Sequence, residues 1–87
     1  MKKITLDVLT TPGCIHCDEF LDFWQLIAGE WPNVTMREIS IITIEGQVLA
    51  RKHQMFAAPS IIVNDEVFAS GGFNTVKFVE KIRELSI

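Results

Sequence analysis

Two cysteines separated by two residues are the most chemically distinctive feature of this 87-residue sequence. They lie in the run Cys14-Ile15-His16-Cys17, and the chain has no others. This spacing is typical of redox-active dithiols and of paired metal ligands, whereas two cysteines are too few for the disulfide framework of a small secreted protein. The thiolate is the reactive form in both kinds of site, so the surroundings of the sulfurs decide their chemistry.

A turn precedes Cys14, and a helix that contains Cys17 follows it. Alternating residues predict a strand at 3–10, and Thr11-Pro12-Gly13 ends it. Apolar residues recur at three- and four-residue steps and predict a helix at 15–29; they are Cys17, Phe20, Leu21, Trp24, Ile27 and Ala28. Cys14 therefore lies at a helix N-terminus, where unpaired N–H groups and the helix dipole favour a thiolate. Such positions can lower a cysteine pKa from ~8.5 to between ~3.5 and 7.5.

The two cysteines have different predicted roles. Cys14 is the candidate nucleophile, and Cys17, one turn later in the buried stripe, is placed to resolve a mixed disulfide on Cys14. His16 either stabilises the Cys14 thiolate by charge or hydrogen bonding, or is a solvated side chain. Acidic residues in the same turns act in the opposite direction; they are Asp18, Glu19 and Asp22. The sequence leaves the balance of these effects open.

The rest of the chain supplies three more strands and two more helices. They are a strand at 34–41, a helix at 43–55, strands at 60–63 and 66–69, and a helix that begins at Asn74 or Thr75. Thr43 is a plausible cap for the helix at 43–55, whereas Gly46 costs it ~1 kcal/mol relative to Ala. Asn64-Asp65 occupies the position of a two-residue hairpin turn. The order β-α-β-α-β-β-α predicts a single α/β domain over 1–87, with a four-stranded mixed sheet flanked by three helices on both faces.

Three segments resemble motifs of the thioredoxin superfamily, in the family's order and spacing. Thr11-Pro12-Gly13-Cys14-Ile15-His16-Cys17 is similar to the active-site loop of glutaredoxins and small thioredoxins. Ala58-Pro59-Ser60, followed by an apolar strand, resembles the cis-proline strand. Ser70-Gly71-Gly72-Phe73 resembles the glycine pair after the hairpin in glutaredoxins and short archaeal-type thioredoxins. The resemblance covers essentially the whole chain and implies the thioredoxin fold.

This resemblance implies a thiol–disulfide oxidoreductase. The Ala58–Pro59 peptide bond is then expected to be cis and to face the cysteines, so that the substrate backbone pairs with this loop like an added strand. The implied substrate-binding residues are Pro12, Gly13, Ala58, Pro59, Gly71, Gly72 and Phe73. The expected partners are disulfide-containing proteins or peptides, with electrons from a thioredoxin-reductase-type donor or from glutathione as co-substrate. No bound cofactor and no metal are expected.

Departures from the family patterns bear on the substrate. The cysteine loop has neither the internal proline nor the tyrosine common in the family, and a His before the second cysteine is more similar to oxidising enzymes. Val8 stands where thioredoxins bury an Asp, and Asp7 should face the other way. Asn74-Thr75 follow Phe73, where glutaredoxins usually carry acidic or Thr-Asp pairs. These differences favour a thioredoxin-like protein reductant slightly, with a glutathione-dependent glutaredoxin as the alternative.

Other classes of function are weighed against this one. A non-catalytic metal carrier would use Cys14 and Cys17, but His16 and His53 are the only further soft ligands for a four-coordinate zinc site. A redox-inactive interaction module of the same fold is a third hypothesis. The net charge of −3 argues against nucleic acid. Without an apolar run of ~18 residues or a signal-peptide pattern, we expect a cytoplasmic protein that does not enter the membrane. Nothing in the sequence demands more than a monomer, which is the expected state.

Overall fold

The computed structural model describes residues 1–55 and 57–87. In that part of the chain the elements are β1 (Ile4–Thr10), α1 (Ile15–Ile27), β2 (Val34–Ser40), α2 (Ile44–Lys52), β3 (Ser60–Val63), β4 (Glu66–Ser70) and α3 (Thr75–Ser86). A short 3-10 helix, Ala28–Glu30, follows α1. The predicted order β-α-β-α-β-β-α is therefore confirmed. No helix in the described residues is both long and apolar enough to cross a membrane.

The four strands form one mixed sheet in the order β2-β1-β3-β4. β1 and β2 run parallel, as expected for strands joined by a helical crossover. β3 is antiparallel to both β1 and β4, and Leu9 of β1 faces Ser60 of β3. Asn64 and Asp65 have positive φ angles of 50° and 67°, which suits the predicted two-residue hairpin turn. The end of β1, the start of β3 and the end of β4 therefore lie at the same end of the sheet.

Helices cover both faces of the sheet, as predicted. One face packs against α1 and α3, and its fully buried residues include Leu6 and Val8 from the sheet and Phe20 and Phe78 from the helices. The other face packs against α2 around a smaller cluster, which consists of Leu9, Ile39, Met55 and Ile62. Neighbouring residues of one strand thus belong to different cores, as the two-residue period of a strand requires.

The predicted boundaries need correction at two helices. α1 ends at Ile27, and the chain tightens into the 3-10 turn instead of continuing as α-helix to residue 29. α2 ends at Lys52, not at residue 55, because Gln54 has a positive φ of 54°. The Met55 N–H donates to the Ala50 carbonyl at 2.8 Å, which turns Met55 into the smaller core. Tertiary packing of Met55, rather than helix propensity, explains the earlier end.

Helix capping follows the sequence closely. Thr43 Oγ1 accepts the Gly46 N–H at 3.0 Å and caps α2 as predicted. Of the two cap candidates for α3, Asn74 is the residue used, because its Oδ1 accepts the Lys77 N–H at 3.0 Å. An N-cap of this kind satisfies a backbone donor that the helix cannot pair internally.

Candidate redox site

The two cysteines are joined by a disulfide at the start of α1. Their Cα atoms lie 5.2 Å apart, which is within the usual range for this bond. Gly13 has a φ of +70°, a conformation that glycine adopts at no steric cost, and it turns the chain from β1 into the helix. Cys14 is the N-cap of α1, and its Sγ accepts the Cys17 N–H at 3.1 Å. A backbone donor therefore points at the sulfur of Cys14.

The two cysteines differ in burial. Cys14 is half-buried, whereas Cys17 is only 2% exposed. Cys17 lies on the buried side of α1 with Phe20 and Trp24, as the apolar stripe predicted. Of the two cysteines, Cys14 is thus the one that a partner can approach.

Two distant segments of the chain lie at the same end of the sheet as the disulfide. Because Leu9 faces Ser60, Pro59 lies beside the end of β1, from which the cysteine loop leaves. The Ala58–Pro59 peptide bond is cis. The Gly71 N–H donates to the Pro59 carbonyl at 2.8 Å and fixes the end of β4 against the proline loop.

A groove of about 250 Å³ lies between the first turn of α1 and the glycine pair. Its lining residues are His16, Glu19, Gly71, Gly72 and Phe73. A Cβ at Gly71 would meet the Ala57 side chain at 3.0 Å, whereas a Cβ at Gly72 would meet no atom within 4 Å. Gly72 therefore leaves open space in the groove, where an extended backbone can approach.

Three separate segments of the chain thus meet at this end of the sheet, namely residues 12–17, 58–59 and 71–73. They include every residue that the resemblance assigned to substrate binding. Pro12 and Gly13 are exposed in the turn before Cys14, and Phe73 is half-buried.

His16 is paired with a carboxylate in the same groove. Its Nδ1 lies 3.2 Å from Glu19 Oε2, one turn along α1, and both side chains are more than half exposed. The structure thus brings together in one contact two residues to which the sequence assigned opposing influences on Cys14.

Asp7 faces away from the disulfide, as the strand period predicted. Its carboxylate accepts hydrogen bonds from Arg37 Nε at 3.0 Å and Nη2 at 3.4 Å, and Arg37 also contacts Glu45 of α2. The hydrogen bond to Asp7 raises the pKa of Arg37, and the charges of Asp7 and Glu45 act in the same direction. Val8, on the opposite side of β1, is fully buried in the core against α1 and α3.

His53 differs from its sequence interpretation as a surface residue at a helix end. Its side chain is only 10% exposed, and its Nε2 lies 3.6 Å from Asp65 Oδ1 in the hairpin turn. That turn is at the opposite end of β3 from Ser60, so His53 is remote from the cysteines. In the described part of the chain, no three His, Cys, Asp or Glu residues cluster so that they could hold a metal ion. The donors considered for a metal carrier are not brought together.

Phe23 is a residue of this region that the sequence analysis missed. Its ring stacks on Phe73 with centroids 6.1 Å apart, and it also lies against Phe20 and Phe78. The spacing of three residues from Phe20 is a signal that could have placed it on the same side of α1. Phe73 is thus held by an aromatic cluster as well as lining the groove.

A four-stranded sheet with a disulfide at the N-terminus of its first helix defines the thiol–disulfide oxidoreductases of the thioredoxin fold. A family model described as the thioredoxin domain matches residues 3–84, and the chain belongs to this family. It is 27% identical over 85 residues to a thioredoxin of Methanocaldococcus jannaschii, covering 97% of this chain and 98% of the relative.

Solved structures share the fold at lower sequence identity. Thioredoxin F from spinach chloroplast, in its long form, has a TM-score of 0.78 and 18% identity over 99% of this chain and 73% of its own. Oxidised thioredoxin O2 from Arabidopsis thaliana has a TM-score of 0.76 and 16% identity, over 97% of this chain and 76% of its own. Family membership and the cysteine pair together establish thiol–disulfide oxidoreductase activity as the chemistry of this chain.

Proposed function

We propose that this protein reduces disulfide bonds in proteins and peptides, as a thioredoxin-type electron carrier. The observation that carries the proposal is the difference between the two cysteines of the disulfide. Cys14 is half-buried at a helix N-terminus with a backbone N–H on its sulfur, whereas Cys17 is 2% exposed beneath it. This arrangement supports an attacking thiolate at Cys14 and a protected thiol at Cys17.

The cycle starts from the reduced dithiol. The Cys14 thiolate attacks one sulfur of a substrate disulfide, a mixed disulfide forms, and the other substrate sulfur leaves as a thiolate. Cys17 loses its proton and attacks the Cys14 sulfur, which forms the Cys14–Cys17 disulfide and releases the second substrate thiolate. Two electrons have then passed to the substrate, whose thiolates take up two protons. A dithiol donor of the thioredoxin-reductase type restores the dithiol.

We assign substrate binding to the end of the sheet where the three segments meet. The loop at Ala58 and Pro59 pairs with an extended substrate backbone, as an edge strand does. The open space at Gly72 supports a close approach of that backbone from the other side. Phe73 gives the groove an apolar wall, and Pro12 and Gly13 border the nucleophile.

The charge of the groove favours a protein or peptide over glutathione. Glu19 lines the groove, and the preceding residue, Asp18, is exposed in the first turn of α1. Glutathione carries a net negative charge at neutral pH, so these carboxylates oppose its binding. We further propose that the protein acts as a monomer in the reducing cytoplasm without a bound cofactor.

Two activity assays separate the protein reductant from the glutaredoxin alternative. The first follows reduction of insulin by dithiothreitol, and the second follows glutathione-dependent reduction of hydroxyethyl disulfide. The proposal predicts activity in the first assay and little in the second. Cys14→Ser should abolish activity, whereas Cys17→Ser should accumulate mixed disulfides with the substrate. Activity that is unaffected by Cys14→Ser would overturn the mechanism.

The reduction potential of the cysteine pair provides an independent test. Equilibration against glutathione or dithiothreitol buffers should give a value of about −270 mV, as in thioredoxin. A value of about −200 to −230 mV would favour a glutaredoxin, and one of about −120 mV an oxidant of protein thiols. If no intramolecular disulfide forms under metal-free oxidising conditions, the dithiol cycle is wrong, and zinc or copper(I) retained through purification would then identify a metal carrier.

A further inference from the structure

A second cavity lies between α1 and α3, next to the redox groove. Its volume is about 360 Å³. The residues that line it are Phe23, Thr75, Val76, Val79, Glu80 and Arg83. Val76, in the first turn of α3, is 65% exposed although it is apolar, so this cleft has an uncovered apolar rim.

The cleft and the redox groove share a wall made of two aromatic rings. Phe73 lines the redox groove, and Phe23 lines the cleft. The two rings are stacked, with their planes 28° apart and their centroids 6.1 Å apart. Phe20 and Phe78 support the pair from below, with edge-on contacts to Phe73 and Phe23 respectively. An apolar surface therefore continues from the redox groove over these rings into the cleft.

We propose that this cleft is a docking subsite for an apolar side chain of the polypeptide substrate. The inference rests on the proposed function and specifies the substrate class of the same site. The occupant is an aliphatic or aromatic side chain on the segment that carries the reactive cysteine. Its backbone runs from Pro59 and the glycine pair across Phe73, and the side chain enters the cleft beside Phe23.

Helix geometry gives the spacing between the substrate's reactive cysteine and the side chain that enters the cleft, which we call the anchor side chain. Cys14 and Phe23 are nine residues apart along α1, which corresponds to about 13 Å at a rise of about 1.5 Å per residue. An extended strand covers about 3.3 Å per residue. The anchor side chain therefore lies about four residues from the substrate cysteine.

The rim of the cleft explains why the anchor is selected by its apolar character. Glu80 and Arg83 contribute one charge of each sign, so the rim as a whole attracts neither anions nor cations strongly. Val76 and Val79 supply aliphatic surface that is covered when the side chain enters. Small disulfides cannot reach from Cys14 to this cleft, so the subsite acts on polypeptide substrates alone.

The test compares five disulfide substrates with the wild-type protein. Four are peptides whose single cysteine is bonded to 5-thio-2-nitrobenzoate, with either Leu or Ser placed four residues before or four residues after the cysteine. The fifth is the small aromatic disulfide 5,5′-dithiobis(2-nitrobenzoate). We expect kcat/KM to be about tenfold higher for the Leu peptide than for the Ser peptide in one of the two directions.

Variants then locate the preference on the protein. Val76→Asp should abolish the preference for Leu and leave the rate with the small disulfide unchanged. Val48→Asp is the matched control, because Val48 is 59% exposed on α2, away from the cleft, and it should keep the preference. Val76→Ser removes the apolar surface without adding charge and should reduce the preference similarly. Circular dichroism spectra should show that all three variants are folded.

The outcomes distinguish the subsite from the function on which it rests. Equal rates for Leu and Ser peptides, with the anchor moved to three, four or five residues on either side, would overturn the subsite alone. The same conclusion follows if Val48→Asp loses the preference as Val76→Asp does. If the protein reduces none of these substrates, the proposed function is overturned, and the subsite with it.

Discussion

Gly46 offers the clearest case in which helix propensity and the structure predict opposite effects of one substitution. It is the third residue of α2, and it packs against the end of β2. A Cβ at this position would lie 2.8 Å from Ile41 Cα and 2.9 Å from the Ser40 carbonyl carbon, and it would overlap the Ser40 carbonyl oxygen. All three are backbone atoms, so no side-chain rotation relieves the overlap.

The expected free-energy change for Gly46→Ala has two parts. Overpacking of a well-packed site costs about 1–3 kcal/mol, and overlap with a fixed backbone belongs at the upper end of that range. Helix propensity alone favours Ala over Gly by about 1 kcal/mol. The net result is a loss of about 2 kcal/mol in the free energy of unfolding. For a domain of this size, that loss lowers Tm by roughly 10 °C.

Urea denaturation of the oxidised protein measures this change, with thermal unfolding as a second readout. Gly29→Ala is the matched control, because a Cβ at Gly29 would meet no atom within 4 Å and its φ is not positive. Gly29→Ala should be neutral or stabilise the fold by up to about 1 kcal/mol. If Gly46→Ala has the same effect on the free energy of unfolding as Gly29→Ala, α2 does not approach the end of β2 as closely as described.

Three further substitutions test the core, the redox site and the hairpin. Phe78→Ala should lower the free energy of unfolding by about 3–5 kcal/mol in urea, because Phe78 is fully buried among aromatic rings; a loss under about 1 kcal/mol would contradict that packing. Glu19→Gln should raise the reduction potential by about 10–20 mV, because it removes a negative charge from the first turns of α1 and so favours the Cys14 thiolate; a shift of the opposite sign refutes this. A hydrogen bond from Lys52 lowers the pKa of Asp65 below its ordinary 3.8, so the pair contributes stability above about pH 4 that is lost as the pH falls through the lowered pKa. Lys52→Ala should return that pKa towards 3.8 in an NMR titration, and an unchanged pKa would exclude the contact.

The parts of the fold that depend on local signals were predictable from the sequence. Apolar alternation identified β1, and Asn64-Asp65 identified the hairpin because both residues tolerate a positive φ. Caps at Thr43 and Asn74 follow from side chains that can accept a backbone N–H. The placement of Cys14 before a helix required only the turn and the apolar stripe.

Features that depend on contacts between distant segments were not predictable in this way. Helix propensity disfavours Gly46, and nothing local shows that β2 approaches it closely. His53 is polar at a helix end, which predicts a surface position, yet its side chain is only 10% exposed and lies near Asp65 of the hairpin turn. The Phe23–Phe73 stack joins residues 50 positions apart, so no periodicity within one element reveals it.

The geometry of the redox site depends mainly on the two central strands. β1 leads into the cysteine loop and β3 begins directly after Pro59, and these strands pair with each other. Val8 and Leu9 of β1 are buried in different cores, as are Ile61 and Ile62 of β3. Both strands are therefore held from both faces, by α1 and α3 on one side and by α2 on the other. Packed strands, rather than flexible loops, therefore support both the cysteine loop and the proline loop.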